Sequence, residues 1–223
     1  MKLRVAALLG LLAAIACSPA SAAPVPVDLR VEGLNETIFE GRVQTDGHSI
    51  EQDGSGPHPC DGTNGGVNPT PGPTMTSALD DAVAWDGRWT DSLSDFLINR
   101  IGPDRADSSR FWGYALNWRA SELGGCQQQV KTDDDVLFAY DFFSKTLLLR
   151  LSGPRRADAG DRVRVRVVDG ATGNAVRGAT VGGRTTDARG YARVRARRPG
   201  VLSLKAEHPQ GVRSNELSVR VSR

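Results

Sequence analysis

Histidine is scarce in this chain, with only His48, His58 and His208 among 223 residues. None stands near a nucleophile motif, and Gly-x-Ser-x-Gly and His-Glu-x-x-His are both absent, which removes the serine-hydrolase and zincin readings. Acidic residues are plentiful, yet no spacing sets two of them across a cleft, so glycosidase chemistry is not indicated. The expectation is a protein that is not an enzyme, with no catalytic residue, no cofactor and no metal site. Long apolar runs are missing after residue 22, and no later stretch approaches the ~18–20 residues that span a bilayer. Aromatics are almost missing after Gly153, where Tyr191 stands alone; all four Trp and all six Phe precede it.

The one apolar run opens the chain. Lys2 and Arg4 lead into Val5 to Ala16, and Ala20-Ser21-Ala22 supplies a small-x-small cleavage pattern. Residues 1–22 therefore read as a secretory signal, and a secreted, extracellular product is expected. A rival cut at Ala14-Ile15-Ala16-Cys17 would leave Cys17 for lipidation. Removal of the signal leaves Cys60 and Cys126, and an even pair in an oxidising compartment reads as a disulfide. The alternative, a metal site built with His58, offers two thiols and one imidazole, a poor tetrahedral set.

Charge divides the remainder. Residues 23–152 carry 10 Lys+Arg against 20 Asp+Glu, net −10, whereas residues 153–223 carry 16 against 6, net +10. With Lys2 and Arg4 these give the overall +2. Two domains of opposite sign are expected, 23–152 and 153–223.

In the first, Val27, Leu29 and Val31 alternate with Asp28, Arg30 and Glu32, and Thr37 to Val43 reads as the returning strand of a hairpin. Residues 44–73 lack apolar periodicity, and a connection of that length needs the Cys60 staple to stay ordered. Ser77 and Asp80 have capping-box spacing, which predicts a helix over 76–84. Trp85 and Trp89 flank Asp86-Gly87, read as a turn, and Phe96 to Ile101 reads as a strand. In Phe111 to Arg119, Trp112, Tyr114, Leu116 and Trp118 alternate with Phe111, Gly113, Ala115 and Asn117, which predicts one large aromatic face opposite a face of small residues. Val136 to Phe142 and Thr146 to Leu151 supply two more strands, the latter so rich in Leu that burial on both faces is expected.

The run Phe111-Trp112-Gly113-Tyr114-Ala115-Leu116-Asn117, with Gly124-Gly125-Cys126-Gln127 and Asp133-Asp134-Asp135 entering Val136 to Asp141, resembles the transcobalamin C-terminal-like β domains. The likeness covers roughly residues 27–151. It implies an α+β, β-grasp-like fold, a single helix on a mixed sheet, of the soluble-ligand-binding kind. After the break, Val163, Val165 and Val167 alternate with Arg162, Arg164 and Arg166, and three later segments repeat the scheme, which predicts an all-β sandwich. Gly178-Ala179-Thr180-Val181 and Thr186-Asp187-Ala188-Arg189-Gly190-Tyr191 resemble bacterial immunoglobulin-like and carboxypeptidase-regulatory-like domains, which implies a presentation module.

The functional expectation follows from the aromatics. Trp85, Trp89, Trp112, Tyr114 and Trp118 are the ligand-binding candidates, because flat π-surfaces stack on sugars and other flat ligands. Their alternative role is core packing beneath the helix. The chain reads as a binding module for a small molecule or glycan; a structural or adhesive envelope component with no small ligand is the other reading. The outward Arg of the second domain reads either as a solvated polar face or as a surface for an anionic envelope polymer or the acidic first domain; nucleic acid is not expected.

Overall fold

The computed structural model describes residues 23–223, so the expected signal segment and Cys17 lie outside the described residues. The opening alternation forms the strand Val25–Glu32, which returns through Thr37–Thr45 as an antiparallel hairpin. Its other neighbour comes from far along the chain. Asp135–Tyr140 runs parallel to it, with Leu29 opposite Val136 and Val31 opposite Phe138. Trp112–Leu116 pairs antiparallel with Asp135–Tyr140, and Arg119–Ala120 completes a five-stranded sheet.

Both faces of this sheet are covered. Val27, Leu29, Val31, Val136, Phe138 and Trp112 pack with the helix residues Met75, Ala78 and Leu79 in the first core. The opposite face presents Ala115, Leu137 and Ala139, and these meet Phe142, Leu148 and Val212. The small side chains that alternate with the aromatics are thus the seat on which the second half rests.

The α-helix spans only Met75–Asp80. Its cap is Thr74, whose hydroxyl accepts from the Ser77 amide (3.1 Å) while Ser77 Oγ accepts from the Thr74 amide (2.8 Å). Asp80, the residue expected at the inner end of the box, instead takes hydrogen bonds from Trp85 Nε1 and Gln52 and faces His48. The segment expected to be structureless contains a short ladder, His48–Ile50 against His58–Cys60. Asp86-Gly87 is a bulge within the strand Trp85–Thr90, which pairs with Asp95–Ile101.

Leu147–Ser152 belongs by pairing to the second half. It runs antiparallel to Arg162–Asp169 and meets Gly211–Val212. Leu149 and Leu151 enter the second core while Arg150 and Ser152 are exposed, so the strand is not buried on both faces. Tyr191–Arg195 closes this four-stranded sheet; two three-stranded sheets, built on Leu217–Ser222 and on Thr180–Val181, cover its apolar side.

These findings overturn the expected α+β β-grasp-like domain followed by an immunoglobulin-like sandwich. Among the described residues strands make up 47% and helix 6%, with one lone α-helix and several separate sheets. The cause is local. Six helical residues form fewer than two turns, and segments read as turns and loop are paired as short strands around them.

The two halves are joined by charge as well as by apolar contact. Glu32, 2% exposed, accepts from Lys205 Nζ (2.5 Å), Arg213 Nε (2.9 Å) and Thr37 Oγ1 (3.0 Å). Lys205 also reaches Glu40 (2.8 Å), and Arg30 donates to the Arg213 carbonyl (2.7 Å). The acidic half supplies the carboxylates of this network and the basic half supplies Lys205 and Arg213.

Candidate functional site

Cys60 and Cys126 are joined by a disulfide, and both are fully buried. Closing a loop of this length contributes about 4 kcal/mol in the chain-entropy account. The staple ties the segment Gly124–Gln127 to the strand His58–Cys60, and Asp95 holds the same segment against the strand Asp95–Ile101. The Cys126 amide donates to Asp95 (3.1 Å to Oδ2), and the Phe96 amide donates to Oδ1 (2.7 Å). Gly124 approaches so closely that a Cβ there would lie 1.6 Å from Asp95 Oδ2, so glycine is required at that point.

Beside this junction lies a groove of about 830 Å³. It runs between the strand Asp95–Ile101, the aromatic strand Trp112–Leu116 and the loop after Ala120. Of the eight large apolar side chains exposed among the described residues, five line this one groove: Leu93, Leu97, Phe111, Leu123 and Phe143. Exposed apolar residues scattered singly are ordinary, but a contiguous set marks a contact surface. Asp95, Asp107 and Glu122 also line the groove, and no Lys or Arg does.

Asp95 is 4% exposed, and burial pushes its carboxyl up to about 7, against the two amide hydrogen bonds that favour the charged form. Burial, with the nearby charge of Asp95, pushes the Tyr114 hydroxyl up to about 12. Near neutrality the groove therefore presents a neutral phenol and a carboxyl that exchanges its proton there. As an acid it donates a hydrogen bond; as a carboxylate it only accepts.

The five aromatic candidates do not form one platform. Trp112 and Tyr114 line the groove, but Trp112 is buried, tilted against Tyr140 (5.4 Å) with Nε1 donating to the Asp104 carbonyl (3.3 Å). Trp85 is buried edge-on to Phe96 (5.5 Å). Trp89 stacks on His58 at 4.1 Å and also meets Phe96. Phe96 lines the groove, so Trp85 and Trp89 support its wall without facing into it.

Trp118 leaves the aromatic face altogether. The strand ends at Leu116, and Asn117 and Trp118 both take positive φ (50° and 67°) in a two-residue hairpin turn to Arg119. Positive φ at both central residues is the turn geometry that matches strand twist. Trp118 is carried to the other side of the sheet, where Arg30 (4.9 Å) and Arg150 (5.8 Å) lie over its ring. Gly170 makes room for it, since a Cβ there would come within 2.4 Å of the indole.

Sequence reasoning missed Asp95 and the five exposed apolar residues. One signal was present: Phe96, Leu97 and Ile98 are consecutive apolar residues in a strand, so both faces of that strand needed cover. No other signal marked Phe143 or Leu123. Compared with known proteins, the chain matches no protein-family model and no curated protein.

Proposed function

We propose that this chain is a non-enzymatic binding protein that acts outside the cytoplasm and holds a small, largely apolar molecule in the groove beside Asp95. The observation that carries the reading is the gathering of Leu93, Leu97, Phe111, Leu123 and Phe143 around one concavity. Its volume falls within the ~300–1,000 Å³ of small-molecule sites, which combine apolar walls with a few polar groups. The acidic lining disfavours an anion, so the ligand is neutral or cationic and bears a polar group within reach of Asp95. The buried Cys60–Cys126 bond supports an oxidising location.

Nile red, a neutral apolar dye with a carbonyl acceptor, tests the reading by fluorescence titration. The protein is expected to bind it, and Phe111→Ser with Phe143→Ser is expected to weaken binding about tenfold, the loss from ~1.4 kcal/mol of apolar contact. Both side chains are exposed, so the double variant should fold. Unchanged dye affinity in that variant would refute the groove. Self-association abolished by the same variant would show that a second copy, not a small molecule, covers the patch.

A further inference from the structure

The exposed side of the four-stranded sheet in the second half carries arginine in register. Arg162 stands opposite Arg195 and Arg164 opposite Arg193, with Arg166 opposite Tyr191. Arg150 continues the row on the adjoining strand, opposite Val168. All six guanidinium-bearing residues are exposed, and among the described residues none makes a salt bridge. Like charges directly opposite across antiparallel strands destabilise a sheet. An alternating strand needs polar outward residues, but that need is met equally by Thr, Gln or Glu.

The choice of cation is also specific. Of the 16 cations in residues 153–223, Lys205 is the only lysine, and it is used at the junction with Glu32. Arginine presents a planar fork that grips carboxylate, sulfate or phosphate with two hydrogen bonds, which lysine does not. Asp187, which feels the charge of Arg164, is held chiefly by the amides of Tyr191 and Arg189. Among the described residues no carboxylate comes within salt-bridge distance of the row; Arg150 and Arg164 lie over the rings of Trp118 and Tyr191, and Arg162, Arg193 and Arg195 have no such partner.

We infer that this sheet face binds an anionic polysaccharide, laid along the arginine row so that its acid groups meet the paired guanidinium groups. The spacing suits a chain with recurring charges: alternate residues on a strand lie about 7 Å apart and opposite residues about 5 Å. The face is unsuited to nucleic acid. A sheet face has no protruding element to enter the major groove of a duplex. Single strands are held by stacking bases on aromatic rings, and the one aromatic here, Tyr191, is covered by Arg164 at 3.7 Å with Arg166 beside it. This site is separate from the apolar groove and does not depend on it.

Dextran sulfate is the probe, with neutral dextran and a single-stranded oligonucleotide as comparison arms, read by biolayer interferometry on the whole protein. Arg162→Gln, Arg164→Gln and Arg193→Gln together are expected to weaken dextran sulfate binding at least tenfold, and Arg193→Gln alone about threefold. The control combines Arg177→Gln, Arg184→Gln and Arg198→Gln, exposed residues outside that sheet with the same change of net charge. It is expected to bind within about twofold of the parent. Equal loss in the control would reduce the effect to net charge and overturn the site. Tighter binding to the oligonucleotide than to dextran sulfate would overturn the ligand class, as would equal retention on neutral dextran. If the triple variant does not fold, the single variant decides, and an unchanged affinity there refutes the proposal.

Discussion

Asp95 and His48 make stability fall across adjoining pH windows. Burial raises the Asp95 carboxyl from 3.8 to about 7, so between those values the folded chain keeps a proton that the unfolded chain has lost. Stability therefore declines as pH rises through that window and levels off above it. His48 is raised from 6.5 to about 9, chiefly by its hydrogen bond with Asp80, against the opposing effect of burial. Its contribution is complete below 6.5 and is lost as pH rises to about 9. Carboxylates held low, Asp53 and Asp80 among them, lose their contribution only in acid below both windows. Thermal scans should give a midpoint that drops steadily from pH 5 to 9. Asp95→Asn should flatten the part below 7, and His48→Gln the part above it. A midpoint that climbs over this range would contradict both assignments.

At the level of the element, the short helix depends on its cap. Thr74 is fully buried, receives the Ser77 amide and donates to the Cys60 carbonyl (3.1 Å). Thr74→Ala should lower stability by about 1–2 kcal/mol, read as the urea midpoint at unchanged m-value. The helix was legible in the sequence but its frame was not. Thr74-x-x-Ser77 and Ser77-x-x-Asp80 both carry cap spacing, and the choice is made by Cys60, which arrives from a distant segment. The hairpin and the aromatic strand were legible for the same reason: two-residue alternation is a local property. Trp118 was misplaced because alternation does not reveal where a strand ends, and a bulky residue at positive φ is rare. The groove was hardly legible at all. Its walls come from strands and a loop brought together only by the disulfide and the sheet register.

Across the whole molecule, the opposite charges of the halves visible in the sequence meet at one buried carboxylate. Removing one partner of such a network leaves the others uncompensated, which costs about 3–5 kcal/mol. Glu32→Gln is expected to lower stability by that order and to split a single calorimetric transition into two, because it loosens the junction without touching either core. One unbroken transition at the parent midpoint would show that Ala115, Leu137, Ala139, Phe142 and Val212 suffice to hold the halves. The pairing of Val25–Glu32 with Asp135–Tyr140 carries a kinetic consequence. The first described strand occupies an inner place in its sheet, and one of its two hydrogen-bonding edges stays open until residue 140 is available. Loop closure over such a distance comes before any contact rewards it, so folding is slow and late. The first sheet is therefore expected to close only after residue 140 has left the ribosome, and limited proteolysis of arrested nascent chains would show protection of residues 25–45 before that point if the expectation is wrong.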